Sequence, residues 1–256
     1  MGSDGGVTAL VVENDPTDDI RRLGEWLTEG GLTLEVCRPY RGEALPATLD
    51  GYAALIILGG DQHAYPDEHG EPGAPWFPAL ESLLRKAVRF KIATLGICLG
   101  GQLLAAAHGG VIARSASGPE FGAGLVARRD AAETDPIWRY VPFVPDVLQW
   151  HYDEIVQLPR NATLLAASTR YPHQAFRLGE RAWGTQFHIE CDVDMIAEWA
   201  ATNTDLGADA DDVVEECAAI MDDIADVWQA FALRFAAVAK GELSTTPIRT
   251  LPLAGH

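Results

Sequence analysis

The chain has 256 residues, of which 48% are hydrophobic and 22% are charged. These values are typical of a globular protein with a sizeable core, and the length suits one domain. The formal net charge of −18 disfavours nucleic acid and anionic membrane surfaces as partners, because both carry negative charge. The N-terminal residues lack the basic and apolar segments of a signal peptide, and the four cysteines show no C-x-x-C spacing. We therefore expect a cytoplasmic protein with reduced thiols.

Short apolar segments alternate with helical patterns in the first half of the chain, and Pro and Gly residues mark the helix ends. This alternation is typical of an α/β fold in which helices cover both faces of a mainly parallel sheet. The predicted strands cover residues 7–13, 32–37, 53–58 and 92–97.

The second half has a different pattern, with shorter strands separated by turn signals. This pattern predicts an antiparallel extension of the sheet. A helix at 193–201 and a long acidic amphipathic helix at about 211–240 follow these strands. The predicted strands lie near residues 122–128, 143–149, 163–168, 174–178 and 182–188.

Cys98 lies where a predicted strand runs directly into a predicted helix, in the segment Gly96-Ile97-Cys98-Leu99-Gly100-Gly101-Gln102. Glycines two residues before and two residues after it are typical of a nucleophile elbow, here with Cys in place of Ser. The helix N-terminus favours a thiolate and stabilises a developing negative oxygen. A buried structural cysteine between two small-residue turns is the alternative, and the elbow context favours the nucleophile.

A cysteine nucleophile needs a general base, usually a histidine that a third group orients. His188 and Glu190 lie two residues apart in a predicted strand, so their side chains point to the same side. The alternative is a solvated polar pair at a strand end. The chain order Cys, His, Glu differs from that of the α/β-hydrolases, in which the acid precedes the histidine.

Two further segments are candidates for the site. Gly59-Gly60 follows the third strand, and its N–H groups can pair with that of Leu99 to form an oxyanion hole, although a simple turn is the alternative. The segment Gln149-Trp150-His151-Tyr152-Asp153 places polar and aromatic groups after a strand, and His151 either lines the site or lies outside it. Since no set of His, Cys and Asp shows metal-ligand spacing, we expect no metal and no other cofactor.

Four sequence blocks, in this order, resemble the class I glutamine amidotransferases, especially the stand-alone proteins similar to the glutaminase domain of GMP synthetase. The resemblance covers about residues 7–200 and implies a flavodoxin-like three-layer sandwich. The blocks are Leu58-Gly59-Gly60, Gly96-Ile97-Cys98-Leu99-Gly100-Gly101-Gln102, Glu120-Phe121-Gly122 and Gln186-Phe187-His188-Ile189-Glu190.

The resemblance implies a role for each matching residue. Cys98 would attack the glutamine amide to form a thioester, His188 would act as base and then protonate ammonia, and Glu190 would orient His188. The N–H groups of Gly60 and Leu99 would form the oxyanion hole. The expected substrate-binding residues are Gln102, Trp150, His151, Tyr152 and Asp153.

Three functions stay open at this stage. The first is a glutaminase that supplies ammonia to a separate synthetase subunit, since the chain has no nucleotide-binding motif. The second is an autonomous hydrolase or transferase that acts on a γ-glutamyl amide. Tyr152, at a position where the family often has glycine, keeps the choice between free glutamine and a larger substrate open. The third, a non-catalytic binding module, is disfavoured by the intact Cys-His-Glu set.

The resemblance also suggests a division of the chain. We expect a disordered N-terminus at 1–6 and an amidotransferase domain at 7–205. An acidic amphipathic helix at 206–240 is expected to pack on this domain, and 241–256 to form a flexible tail. A homodimer is a further expectation.

Overall fold

The computed structural model describes residues 6–245. Most of the predicted disordered N-terminus and most of the predicted flexible tail lie outside the described residues. Within residues 6–245, no helix combines the length and the apolar character needed to cross a membrane.

The first half of the chain alternates strands and helices as predicted. Its elements are β1 (Val7–Val12), α1 (Arg21–Glu29), β2 (Leu32–Cys37), β3 (Tyr52–Ile57), α2 (Phe77–Arg89), β4 (Ala93–Ile97) and α3 (Leu99–Ala106).

The second half contributes eight short strands and then three α-helices within the described residues. They are β5 (Val111–Arg114), β6 (Glu120–Leu125), β7 (Ala127–Arg128), β8 (Asp146–His151), β9 (Asp153–Gln157), β10 (Ala162–Ala167), β11 (Ala175–Leu178), β12 (Ala182–Thr185), α4 (Val193–Thr202), α5 (Ala210–Ala219) and α6 (Met221–Ala239).

The main sheet has the strand order β2-β1-β3-β4-β12-β11-β10-β7. The first five of these strands are parallel, whereas β11, β10 and β7 extend the sheet in antiparallel pairing. Two antiparallel ribbons, β5 with β9 and β6 with β8, lie outside this sheet. The predicted mainly parallel sheet with an antiparallel extension is therefore confirmed.

Alternating residues of the central strands face two apolar layers. In β1, Ala9 and Val11 belong to one buried cluster, and Leu10 and Val12 belong to the other. This follows from the period of two along a strand. The first cluster includes apolar residues of α1 and α6, and the second includes those of α2 and α3. The molecule is thus a three-layer α/β sandwich.

Three details differ from the prediction. The strands β5 and β9 were not predicted, because their short ribbon is only partly buried and lacks a clear apolar alternation. The predicted strand at 182–188 ends at Thr185. The predicted helix at about 211–240 is two helices that meet at Ile220, whose φ of −105° and ψ of 3° leave the helical region.

The break at Ile220 has a packing cause. Helix α5 lies against α4 and β6, whereas α6 lies against α1 and the sheet, so the two segments follow different directions. Apolar spacing continues through the break and therefore conceals it in the sequence.

Candidate active site

Cys98 lies on a sharp turn between β4 and α3. Its φ of +50° and ψ of −110° are a strained conformation for a residue with a side chain. Its N–H donates to the carbonyl oxygen of Thr185 at 2.9 Å. A Cβ at Gly96 would lie 2.4 Å from the carbonyl oxygen of Gly100, and a Cβ at Gly100 would lie 2.1 Å from that of Ile57. The turn therefore requires the glycines on both sides of Cys98.

The Cys98 thiol is 7% exposed. It lies 3.7 Å from the carbonyl oxygen of Trp150, to which the S–H donates. The amide Nε2 of Gln186 donates to the sulfur at 3.8 Å. The sulfur is therefore held between two polar groups at the N-terminus of α3, where it also lines a cavity.

His188 and Glu190 form a buried pair, with 1% and 0% exposure. Nδ1 of His188 lies 2.6 Å from Oε1 of Glu190, and Oε2 of Glu190 accepts from the N–H of Ile189 at 2.9 Å. Nε2 of His188 is buried and has no hydrogen-bond partner among the described residues. Because Glu190 holds the Nδ1 proton, Nε2 is the nitrogen that is free to exchange a proton with a neighbour.

The charge state of His188 depends on opposing effects. Burial lowers the pKa of the imidazole, but the negative charge of Glu190 and the neighbouring Cys98 sulfur favour the imidazolium, and the result is a pKa well above the ordinary value. A protonated imidazole beside a cysteine is the partner that a thiolate nucleophile requires.

The His188–Glu190 pair does not lie inside a strand, which corrects the prediction. After β12 ends, the hydroxyl of Thr185 donates to the carbonyl oxygen of Phe187 at 3.0 Å. The N–H of His188 then donates to the carbonyl oxygen of Leu148 at 2.8 Å, which directs the chain toward β8. The two side chains meet in this extended segment.

A cavity of about 570 Å³ opens beside Cys98. It lies at the carboxyl ends of β1, β3 and β4, the edge at which parallel α/β sheets bind ligands. Glu190 lies behind His188 and is the one predicted site residue that does not line the cavity. The predicted residues that line it are Gly60, Cys98, Leu99, Gln102, Trp150, His151, Tyr152, Asp153 and His188.

Gly60 meets the cavity from the loop after β3, and Leu99 meets it from the first turn of α3. Leu99 is the first residue of α3, so its N–H lies in the turn where helical amides lack an internal partner. Gly60 has a φ of +152°, and a Cβ there would lie 2.6 Å from Oε1 of Gln62. The side-chain amide of Asn14 donates to the carbonyl oxygen of Leu58 at 2.9 Å and holds the Gly60 loop. Gly60 and Leu99 therefore line the same cavity as Cys98, and their role as an oxyanion hole stays a prediction.

Gln102 and Asp153 form the wall that continues from α3 to β9. Nε2 of Gln102 donates to the carbonyl oxygen of Asp153 at 3.3 Å and to Oε1 of Gln186 at 3.2 Å. His151 contacts the same Asp153 carbonyl oxygen through Nδ1 at 2.9 Å, and Nε2 lies 3.2 Å from Oε2 of Glu120. The structure therefore places His151 at the cavity, which resolves the two alternatives for it.

Tyr152 joins two parts of the cavity lining. Its hydroxyl donates to Oδ2 of Asp205 at 2.6 Å and to Oδ1 of Asn203 at 3.3 Å. The guanidinium of Arg114 lies over its ring, 3.9 Å from the centroid. Tyr152 thus contacts the segment after α4. The Arg114 guanidinium that lies over its ring also lines the cavity.

Asp18 is a cavity residue that the sequence did not predict. It is 7% exposed, and its Oδ1 lies 3.9 Å from Nδ1 of His188. Burial, with a further contribution from the charge of Glu190, raises the pKa of Asp18 to about 7, although His188 lowers it. The available signal was position, because Asp18 follows β1 at the same sheet edge as Cys98.

Cys191 was also not predicted at the site. With His188 and Glu190 it forms a buried group whose metal-ligating atoms lie within 4.8 Å of one another. The spacing of these residues in the sequence did not indicate such a group. In this structure the His188 Nδ1 is engaged with Glu190.

Comparison with known proteins adds to this geometry. The model of the glutamine amidotransferase class-I family matches residues 25–194. The glutamine amidotransferase-like protein YfeJ of Salmonella typhimurium is 32% identical over 174 residues, which cover 67% of this chain and 71% of that protein.

Two other relatives have different names. γ-Glutamyl peptidase 4 of Arabidopsis thaliana is 29% identical over 150 residues, which cover 58% of this chain and 57% of that protein. A glutamine-hydrolysing GMP synthase subunit of Pyrococcus abyssi is 36% identical over 111 residues, which cover 43% of this chain and 57% of that protein. The chain thus spans less than two thirds of each of these two proteins.

One solved structure is similar to this protein over almost the whole length of the solved chain. The glutamine amidotransferase of Thermotoga maritima superimposes with a TM-score of 0.79 at 26% identity, covering 90% of this chain and 98% of that protein. The match includes the flavodoxin-like sheet on which the cavity lies.

Proposed function

Because the chain belongs to the class-I glutamine amidotransferase family, we propose that it hydrolyses the γ-amide of glutamine or of a γ-glutamyl compound through a thioester on Cys98. One observation carries this proposal. The strained Cys98 turn shares its cavity with a buried histidine whose Nδ1 is held by Glu190 and whose Nε2 is free. This is the arrangement of nucleophile, base and orienting acid that acyl transfer requires.

In the acylation step, the sulfur of Cys98 attacks the γ-carbonyl carbon, and His188 holds the thiol proton on Nε2. The carbonyl oxygen becomes an oxyanion, which accepts hydrogen bonds from the N–H groups of Gly60 and Leu99. The C–N bond then breaks, and His188 returns the proton to the leaving nitrogen. The products of this step are a γ-glutamyl thioester and ammonia or an amine.

In the deacylation step, a water molecule gives a proton to His188 and attacks the thioester carbon. The C–S bond breaks, glutamate leaves, and the sulfur recovers its proton from His188. Glu190 stabilises the imidazolium in both steps through the 2.6 Å contact with Nδ1.

The size of the cavity favours a γ-glutamyl compound larger than glutamine as the second candidate substrate. Its volume of about 570 Å³ falls in the range of pockets that hold drug-sized ligands, which is more room than one free amino acid fills. The relative named γ-glutamyl peptidase 4 supports this candidate. The Pyrococcus abyssi relative, which is named as part of a GMP synthase, supports the other, in which ammonia passes to a separate synthetase.

The test combines turnover and labelling. The pure protein is incubated with glutamine and with a panel of γ-glutamyl amines, and ammonia, amine and glutamate are measured. We expect a chloroketone analogue of glutamine to alkylate Cys98 and to abolish turnover. Cys98→Ala should lose both labelling and activity, whereas Cys37→Ala, which removes another buried free thiol, should keep both. Full turnover in Cys98→Ala would disprove the thioester.

A further inference from the structure

The part of the cavity wall formed by β5 and β9 carries a guanidinium that the proposed reaction does not use. It belongs to Arg114, the last residue of β5, which is exposed. Among the described residues that line the cavity, Arg114 is the one lysine or arginine. It pairs with Asp153 in the register of β5 and β9, so the strand pairing fixes its position beside the wall.

The guanidinium of Arg114 is held by an aromatic face and not by a carboxylate. It lies over the ring of Tyr152, 3.9 Å from the centroid. Within residues 6–245 it forms no hydrogen bond and no ion pair. A cation–π contact uses the charge of the guanidinium but leaves its N–H groups without an acceptor. Because the side chain is exposed, these donors are accessible to a ligand that brings an acceptor.

The carboxyl groups near this pair are bound by tyrosine hydroxyls. Asp205 accepts from the hydroxyl of Tyr152 at 2.6 Å, and Asp153 accepts from that of Tyr65 at 3.3 Å. Burial raises the pKa of Asp153, and the charge of Arg114 lowers it in part. The guanidinium thus acts electrostatically on the wall although it forms no ion pair with Asp153.

The ring of Tyr152 has a defined place in the wall. It packs edge-to-face against Phe121, with the ring centroids 5.1 Å apart, and its hydroxyl is bound to the segment after α4 through Asp205. A guanidinium that rests on a fixed ring has already lost part of its conformational freedom, so a ligand that binds it has less entropy to offset.

Arg114 lies within reach of a substrate bound at Cys98. The Cys98 thiol contacts the carbonyl oxygen of Trp150 at 3.7 Å, and the chain from Trp150 to Tyr152 spans at most about 7 Å. In a γ-glutamyl compound, a few carbon–carbon bonds separate the γ-carbonyl carbon from the α-carboxylate. An amino-acid leaving group carries its carboxylate at a similar separation from the same carbon.

We propose that Arg114, held on the ring of Tyr152, binds a carboxylate of the substrate and so selects γ-glutamyl compounds that present one there. This inference rests on the proposed γ-glutamyl hydrolysis. The planar guanidinium donates parallel N–H groups to the carboxylate oxygens, a geometry that an ammonium does not reproduce. The carboxylate is either the α-carboxylate of the γ-glutamyl group or one on the leaving group, and the experiment distinguishes these two sources.

The experiment uses two pairs of substrates, each of which differs by one carboxylate. The first pair is the fastest substrate among glutamine and the γ-glutamyl amines, and the same compound with its α-carboxylate replaced by a carboxamide. The second pair is γ-glutamylglycine and γ-glutamylglycinamide. We expect kcat/KM to favour the carboxylate in at least one pair by about tenfold or more, equivalent to ~1.4 kcal/mol. Arg114→Gln should bring that ratio close to one.

The pair that responds to Arg114→Gln identifies the source of the carboxylate. A response in the first pair assigns the α-carboxylate, and a response in the second assigns the leaving group. The uncharged member of each pair is the internal reference for any loss of folded enzyme. Equal kcat/KM within both wild-type pairs, or ratios that Arg114→Gln leaves unchanged, would overturn the inference and leave the proposed hydrolysis intact. If neither glutamine nor any γ-glutamyl compound is hydrolysed, the proposed function itself fails.

Further variants test the geometry of the pair. Arg114→Lys keeps the charge but loses the planar fork, so it should retain only part of the preference. Tyr152→Leu removes the ring beneath the guanidinium and should lower the ratio severalfold, whereas Tyr152→Phe keeps the ring and should lower it less. Equal ratios in Tyr152→Leu and the wild type would overturn the positioning role of Tyr152.

Arg89 offers a matched control for the loss of a stacked arginine. Its guanidinium lies over the ring of the exposed Phe90, 5.5 Å from the centroid, and it does not line the cavity. Arg89→Gln removes the same charge from the protein and should keep both substrate ratios. A loss of the preference in Arg89→Gln equal to that in Arg114→Gln would overturn the assignment to Arg114.

Discussion

The imidazole of His188 is oriented by Glu190, which contacts it at Nδ1. The 2.6 Å contact at Nδ1 leaves Nε2 buried and without a partner among the described residues. A ring in this state keeps one tautomer and one orientation, and its free nitrogen is available to the thiol proton of Cys98 and to the leaving nitrogen. In the proposed mechanism, the residue that orients the base is therefore separate from the residues that contact the substrate.

Removing the base or its orienting acid should slow turnover by different amounts. We expect His188→Ala to lower kcat by about 10³–10⁴. Glu190→Gln should lower it by about 10² or more, because an amide can turn its NH₂ toward Nδ1 and so favour the other tautomer. Steady-state rates on a γ-glutamyl amide measure both effects. His69→Ala, at an exposed histidine outside the cavity lining, is the control, and a near-normal rate in His188→Ala would require another base.

A methyl group at Gly100 should damage the elbow. A Cβ there would lie 2.1 Å from the carbonyl oxygen of Ile57, so α3 must shift away from β3 and carry Cys98 with it. We expect Gly100→Ala to lower the free energy of unfolding by roughly 1–3 kcal/mol and to reduce the rate of Cys98 alkylation. Urea denaturation and alkylation kinetics test this. Gly124→Ala is the control, since its Cβ would meet a flexible glutamine side chain at 3.2 Å, and equal effects of the two changes would contradict the prediction.

Asp18 should make stability depend on pH in a defined direction. The carboxyl loses its proton near its ordinary pKa of 3.8 when the chain is unfolded, whereas burial, together with the charge of Glu190 and against the effect of His188, raises its pKa to about 7 in the folded protein. The folded state therefore binds more protons in this window, and its stability falls as the pH rises from about 4 to 7. Asp15 and Asp61, which also face Asp18, are unchanged when Asp18 alone is replaced by Asn.

Asp18→Asn does not titrate, so it should lack this contribution. Between pH 5 and pH 7, we expect wild-type stability to fall by on the order of 2 kcal/mol relative to Asp18→Asn. Urea midpoints measured for both proteins at the two pH values give this difference. Parallel pH profiles would show that Asp18 ionises in the folded protein as it does in the unfolded chain.

Trp228 should be a major contributor to stability. It is fully buried, packs edge-to-face against Trp138 and at a tilt against Phe187, and donates its indole N–H to the carbonyl oxygen of Asp146 at 2.9 Å. We expect Trp228→Ala to cost about 3–5 kcal/mol, measured by urea denaturation. The exposed Phe143 gives a matched aromatic control, and Phe143→Ala should change stability by less than about 0.5 kcal/mol. A small loss in Trp228→Ala would mean that α6 is only loosely attached.

Local requirements explain which parts of the site could be predicted. The elbow was predicted because glycines must flank a nucleophile on a strand-to-helix turn, and that requirement is visible within seven residues around Cys98. His188 and Glu190 were identified by their spacing, but the strand assigned to them was wrong. Their contact depends on the bridge from His188 to Leu148, which the local sequence does not contain.

Relationships across the sheet explain what was missed. Asp18 meets His188 because β1, β3, β4 and β12 are neighbours in the sheet, although the two residues are far apart in the chain. The division between α5 and α6 likewise depends on the different surfaces that they cover. Neither relationship has a counterpart in residue spacing.

The contact between α1 and α6 affects when the protein can fold during synthesis. Nε2 of Gln229 donates to Oε2 of Glu29 at 2.8 Å, and Gly30 admits the methyl group of Ala236, which would lie 2.6 Å from a Cβ at 30. The apolar face of α1 is therefore covered only after α6 has formed. On the ribosome, one face of the nascent sheet stays open until α6 has been translated. We infer that this late closure is the stage at which the protein depends most on chaperones.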